Sequence, residues 1–167
     1  MVHISVLRSL SALVLSGTLA VAHAASGQPA LSPIDRIELA SGRGDFVTAL
    51  RLSADLLEHT PAGDPARLGA LQGRIDVVVD SSEWTAQSTA LRAAIDALPD
   101  ASAREALLAE FAVADAANAG NAATMLEVAQ RSLEKNLPAP PTFNAEMRAA
   151  AARASILLGR MDAAASE

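Results

Sequence analysis

A short turn motif recurs along this chain at a nearly constant interval. The motif consists of a turn residue, a polar residue and an apolar residue, and it occurs as Gly44-Asp45-Phe46, Ser82-Glu83-Trp84, Gly120-Asn121-Ala122 and Gly159-Arg160-Met161. The first residues of these motifs are 38, 38 and 39 positions apart. A fixed period of about 20–50 residues is typical of a solenoid, in which each unit is one supersecondary element that packs on its neighbours. The interval therefore predicts a repeat array.

Prolines and helix-capping residues follow the same period. Pro61, Pro99 and Pro138 lie 17, 17 and 18 residues after the first three turns, which is the length of a helix of about four turns. Ser32-Pro33 and Asp64-Pro65 each place a capping side chain before a proline, and Ser102 to Glu105 has the pattern of a capping box. An alanine-rich chain matches many templates by chance, which is the alternative. Three markers with one period favour the repeat.

Each unit is predicted to be a helical hairpin, with a helix A followed by a helix B. The apolar spacing between the turns is helical, and Thr142 or Asn144 can cap the last long helix. The predicted A helices are Pro33–Ser41, Pro65–Asp80, Ser102–Asn118 and Asn144–Leu158, and the predicted B helices are Asp45–His59, Glu83–Leu98 and Asn121–Asn136. Val77-Val78-Val79 has strand propensity, but a lone strand would have no pairing partner. We therefore expect an all-α fold.

The first 24 residues have the pattern of a secretory signal peptide. Arg8 precedes an apolar run from Leu10 to Val21, and Ala22-His23-Ala24 is a small-x-small cleavage pattern that would leave Ala25 as the new N-terminus. An uncleaved membrane anchor is the alternative, but the uninterrupted apolar stretch is shorter than the ~20 residues that span a bilayer. We expect a signal peptide at 1-24, a linker at 25-32 and a repeat domain at 33-167, exported to the periplasm or beyond the cell, with no stable membrane insertion of the mature chain.

Composition excludes several classes of function. The chain has no cysteine, which removes disulfides, thiol catalysis and iron–sulfur ligation, and its formal net charge of −6 disfavours nucleic-acid binding. After the predicted cleavage, His59 is the single remaining histidine, so no histidine cluster can hold a metal. No nucleophile elbow, phosphate-binding loop or dinucleotide fingerprint is present. We therefore predict no catalytic residues, no metal and no cofactor, although an exported enzyme stays an alternative.

The units resemble tetratricopeptide repeats (TPR) in a degenerate, slightly lengthened form. The segment Gly44-Asp45-Phe46-Val47-Thr48-Ala49-Leu50 is similar to the family's turn into helix B, and the interval of 17 residues to Pro61 is the family's interval. The period exceeds the usual ~34 residues, Gln87 and Met125 stand where Ala49 has a small side chain, and the family's aromatics in helix A are absent. The resemblance implies a right-handed α-solenoid of about three and a half hairpins, at about 33-61, 64-99, 102-138 and, incomplete, 142-167.

A TPR-like array implies a binding scaffold whose A helices line a concave groove. The positions that the resemblance places on the groove side are Glu38, Gln72, Asp76, Asp80, Glu110, Asn118 and Arg153. Their net charge is negative, so we expect a protein or peptide partner with a preference for a basic segment. An ordinary solvated helix face is the alternative for each of these residues.

The last motif begins a helix B that ends after a few residues at Glu167. Two readings follow from this incomplete hairpin. The chain is a free-standing exported scaffold, or it is the N-terminal sensory or docking region of a longer membrane signalling protein. Exported helical repeats of this kind resemble the regions that precede the cytoplasmic domain of diguanylate cyclases. We favour the scaffold.

Overall fold

The structure, a computed structural model, describes residues 31–135 and 142–159. Within these ranges it contains seven α-helices and no strand. In chain order they are α1 (Pro33–Gly42), α2 (Phe46–His59), α3 (Ala66–Asp80), α4 (Trp84–Asp96), α5 (Ala101–Asn118), α6 (Ala122–Lys135) and α7 (Phe143–Leu157). Each lies within two residues of a predicted helix, and Val77-Val78-Val79 belongs to α3. The predicted all-α fold is confirmed for this part of the chain.

Several predictions concern residues outside the described ranges. The signal peptide at 1-24, its cleavage residues Ala22, Ala24 and Ala25, and Pro138 all lie there. The same holds for the residues of the incomplete hairpin that follow Gly159.

Polar side chains cap the start of several helices. At α1, Ser32 Oγ accepts a hydrogen bond from the Asp35 N–H, and Asp35 Oδ2 accepts one from the Ser32 N–H, both at 3.1 Å, which forms a capping box. The predicted capping box at Ser102 is wrong. Asp100 is the N-cap of α5, and its Oδ1 accepts hydrogen bonds from the N–H groups of Ser102 at 2.8 Å and Ala103 at 3.0 Å. A carboxylate with extended backbone thus starts the helix at Ala101, so Ser102 is already inside it.

The four aligned turn residues share one backbone conformation. Gly44, Ser82, Gly120 and Gly159 have φ values of 75°, 62°, 69° and 71°, and they are the residues with positive φ in the described ranges. At the first three turns, the N–H of the following residue donates to a carbonyl five residues back: Asp45 to Ala40 at 2.9 Å, Glu83 to Val78 at 3.1 Å and Asn121 to Ala116 at 2.8 Å. This is the Schellman pattern, which satisfies carbonyls at a helix end and turns the chain sharply.

The helices contact one another in a regular order. The odd helices form a continuous row, in which α1 contacts α3, α3 contacts α5 and α5 contacts α7. Each even helix contacts the two odd helices that flank it in sequence, and within the described residues the even helices do not contact one another. The odd helices therefore form a connected layer, and gaps remain between the even helices.

Three apolar clusters follow this order, each spanning an odd, an even and a second odd helix. The first includes Ile37 and Ala49, the second is centred on Leu71, Trp84 and Phe111, and the third joins α5, α6 and α7. Five of the nine buried residues in the third cluster are alanines, which lets the helix backbones approach closely. Each contact buries little area at roughly 25 cal/mol per Å², so stability depends on many neighbouring contacts.

The predicted core role of the large aromatics is confirmed for three of the four. Trp84, Phe111 and Phe143 are buried, whereas Phe46, which the repeat aligns with Trp84, is only half-buried. The rings of Trp84 and Phe111 have centroids 4.9 Å apart at an angle of 43°. Trp84 Nε1 donates to Asp115 Oδ1 at 2.8 Å, so the buried indole N–H has a partner.

Candidate functional site

All seven predicted groove residues lie on the odd helices. Glu38 lies on α1, Gln72, Asp76 and Asp80 on α3, Glu110 and Asn118 on α5, and Arg153 on α7. They differ in burial, because Glu110 is buried, Gln72, Asp76 and Arg153 are half-buried, and the other three are exposed.

Three of these residues lie together with two that the sequence did not indicate. Gln72 Nε2 on α3 is 3.1 Å from Glu110 Oε1 on α5, 3.2 Å from Glu146 Oε2 on α7 and 3.3 Å from Thr142 Oγ1 at the start of α7. Asp76 lies one turn after Gln72 on α3 and acts electrostatically on Glu110. We call Gln72, Asp76, Glu110, Thr142 and Glu146 the carboxylate cluster. It joins three consecutive odd helices.

Glu110 is the most perturbed group in the cluster. Its side chain is buried, with 7% of the residue exposed, and this burial raises its pKa from 4.5 to about 8. The negative charges of Glu146 and Asp76 raise it further, and so does the hydrogen bond with Glu146, whereas the hydrogen bond from Gln72 acts in the opposite direction. At neutral pH the Glu110 carboxyl therefore holds its proton, which it can share with Glu146.

Glu146 and Thr142 were missed because α7 does not keep the register of the repeat. Gln72 and Glu110 are 38 residues apart, so the period points to Ala149 on α7. Glu146 lies three residues earlier, which is the neighbouring position on the same helix face. Thr142 is the N-cap of α7 but makes no capping hydrogen bond there, which leaves its hydroxyl oxygen to accept from Gln72. A search of the adjacent turn of α7 would have found the glutamate.

The other predicted groove residues lie apart from this cluster. Ser41 Oγ on α1 donates to Asp80 Oδ2 on α3 at 3.3 Å, which links the first two odd helices. Within the described ranges, the side chains of Glu38, Asn118 and Arg153 make no hydrogen bond or ion pair.

Two open grooves lie away from the carboxylate cluster. One of about 220 Å³ lies between α5 and α6, and one of about 210 Å³ is lined by α2, α3 and α4. No residue of the cluster lines either of them. The cluster is therefore a polar patch on the layer of odd helices, and the grooves fall beside the even helices.

The chemistry available to the cluster is acceptance of hydrogen bonds and of a positive charge. Among the described residues, no group of histidine, aspartate and glutamate side chains has the arrangement that would hold a metal ion. A glutamate with a pKa near neutrality can act as a general acid or base, but it then needs a substrate-sized space beside it. Neither groove supplies that space to Glu110.

No protein-family model, no curated protein and no solved structure matches this chain. In the described ranges, none of the helices is long and apolar enough to cross a lipid bilayer. Function must therefore be argued from the side chains themselves.

Proposed function

We propose that this chain is an exported, non-catalytic helical scaffold that binds a protein or peptide along its odd helices. In this proposal the hairpins stack as a right-handed, TPR-like solenoid of about three and a half units with a period of about 38 residues. The observation that carries the proposal is the carboxylate cluster, a set of buried and half-buried polar side chains that spans α3, α5 and α7.

The energetics of the cluster support a cationic partner group. Burying carboxyl groups beside one another is unfavourable unless a positive charge or a proton compensates them. Around Glu110, the compensation is a bound proton. A lysine or arginine side chain of a partner that reached Glu110 and Glu146 would replace that proton and form charge-assisted hydrogen bonds with both carboxylates.

The contact order of the helices supports a segment-binding surface. The odd helices form a connected layer, so polar side chains from successive odd helices lie along one surface. Glu38 and Asp80 extend the acidic character toward α1, and Asn118 and Arg153 lie toward the other ends of α5 and α7. An extended or helical basic segment matches such a surface in charge.

Selection from a random peptide library tests the proposal. The full chain is used as bait, the selected peptides are sequenced, and their affinities are measured for the wild type, Asp76→Lys and Glu134→Lys. Glu134 is exposed on α6, so its reversal makes the same change in charge away from the odd helices. We expect enrichment of lysine and arginine, a loss of affinity of about tenfold or more for Asp76→Lys, and little change for Glu134→Lys. Peptides without basic enrichment, or equal effects of the two reversals, would refute the proposal.

A further inference from the structure

Arg74 is a half-buried cation without a negative partner. Its Nη1 donates to the Leu50 carbonyl and, at 2.8 Å, to Ser53 Oγ, and its Nη2 donates to Gln87 Oε1 at 3.0 Å. All three acceptors are neutral. Among the described residues, no carboxylate lies within 4.0 Å of its guanidinium, and burial lowers the pKa of Arg74. Because an arginine side chain stays charged in proteins, this positive charge is uncompensated.

Two other arginines show how this chain normally compensates such a group. Arg67 Nη1 donates to the carbonyls of Leu57 and Thr60 at the end of α2, and Arg104 Nη1 donates to the Leu98 carbonyl, just beyond the end of α4. The carbonyls at a helix C-terminus carry partial negative charge. Leu50 lies inside α2, where its carbonyl belongs to the helical hydrogen-bond ladder. Arg74 therefore lacks even this partial compensation.

The guanidinium of Arg74 lines the groove of about 210 Å³ between α2 and α4. Gln87 is the other polar residue of the lining, and the rest of the lining is apolar: Ala54, Leu57, Ala90, Leu91 and Ala94. The printed hydrogen bonds use three of the five N–H donors of an arginine, which leaves two for a ligand.

The groove between α5 and α6 provides an internal comparison. Its cations are paired, because Lys135 Nζ contacts Glu105 Oε1 at 2.6 Å and Arg131 contacts Glu127. The repeat places Ala112 at the position that corresponds to Arg74. The carboxylates on the helices beside Arg74 are also paired within their own helices, with Arg51 and Asp55 3.3 Å apart and Arg92 and Asp96 3.0 Å apart.

We propose that the groove between α2 and α4 binds a small aliphatic carboxylate, whose charge is held by Arg74 and whose hydrocarbon chain is covered by the apolar lining. A guanidinium matches a carboxylate in charge and forms two parallel hydrogen bonds with it. A phosphate carries more negative charge and needs more donors than this lining provides. The carboxylate thus fits both the single cation and the apolar remainder.

This site is independent of the proposed peptide surface. Arg74 and Gln72 are two residues apart on α3, so at about 100° per residue they point to nearly opposite sides of the helix. Failure of one proposal therefore leaves the other intact. The reversal Asp76→Lys is expected to leave carboxylate binding unchanged.

Calorimetric titration of the full chain with hexanoate tests the proposal. Hexanol supplies the chain without the charge, acetate supplies the charge without the chain, and inorganic phosphate supplies a different anion. We expect saturable binding of hexanoate and affinities at least about tenfold weaker for the three other probes. Absence of saturable hexanoate binding, or equal affinity for hexanol or phosphate, would overturn the proposal.

Two variants locate the binding to this groove. Arg74→Gln is expected to weaken hexanoate binding by about tenfold or more, because it removes the charge that the carboxylate contacts. Arg74 also links α2, α3 and α4, so a second variant keeps the test valid if Arg74→Gln fails to fold. Ala90→Leu fills the groove from an exposed position on α4, and Ala93→Leu makes the same change on the same helix outside the lining. We expect Ala90→Leu to weaken binding and Ala93→Leu to leave it unchanged; equal affinities for the two would place the ligand elsewhere.

Discussion

Replacing Glu110 with glutamine tests whether a buried carboxyl makes the stability of this protein depend on pH. Glutamine has nearly the same shape, and its amide can still accept from Gln72 and donate to Glu146, as the protonated carboxyl does. It cannot ionise. The variant therefore keeps the packing of the carboxylate cluster and removes only the titration of residue 110.

The direction and size of the effect follow from the pKa of Glu110. The unfolded chain releases the proton near the ordinary pKa of 4.5, whereas the folded chain keeps it to about 8. Between these values the folded state binds more protons, so the free energy of unfolding falls as pH rises, by about 1.4 kcal/mol per pH unit. The full loss is about 5 kcal/mol, and it is complete above the folded pKa. Below 4.5 the carboxyl is protonated in both states and has no effect.

Urea unfolding at pH 5 and pH 9 measures this loss. Trp84 is the single tryptophan of the chain and is buried, so its fluorescence reports unfolding directly. Between these pH values we expect the wild type to lose about 4 kcal/mol more stability than Glu110→Gln, which corresponds to a difference in Tm on the order of 10 °C. Glu134→Gln, at an exposed site, is the matched control and should follow the wild type. Parallel pH profiles for the wild type and Glu110→Gln would refute the assignment.

Four further outcomes are expected. Trp84→Ala should destabilise the fold by about 3–5 kcal/mol and Trp84→Phe by about 1 kcal/mol more than the ring loss alone, because Phe also loses the hydrogen bond to Asp115; denaturant unfolding that shows no loss for the alanine variant would contradict the packing. Ser82→Gly should stabilise the fold by about 1 kcal/mol, since serine is strained at its φ of 62°, and an unchanged midpoint of denaturation would exclude that strain. A selected basic peptide should bind more tightly to the wild type as pH rises from 6 to 9, and to Glu110→Gln without this trend, because the partner cation replaces the proton of Glu110. Intact mass of the exported protein should place its N-terminus at Ala25, and a retained Met1 would contradict cleavage.

The local structure of this chain was predictable because its signals are local. Each helix boundary depends on a few neighbouring residues, such as the positive φ that favours glycine at position 44 or the capping box at Ser32, and these residues recur with the period. The exception at α5 has the same origin. Ser102 and Asp100 are both capping residues, and the carboxylate that follows Pro99 takes the role.

The grouping of polar side chains was predictable only in part. Gln72 and Glu110 were placed together because they are one period apart, whereas Glu146 was missed because α7 begins out of register with α5. Arg74 could not be singled out from sequence. Its lack of a negative partner depends on which atoms of α2 and α4 surround it, and this is decided by how three helices pack.

Hydrogen–deuterium exchange with a selected basic peptide tests most directly whether the odd helices form the binding surface. Amide protection is measured on the full chain with and without the peptide. We expect the peptide to slow exchange in α3, α5 and α7 around Gln72, Glu110 and Glu146, and to leave α2, α4 and α6 nearly unchanged. Protection confined to the even helices, or spread evenly over both sets, would contradict the proposed surface.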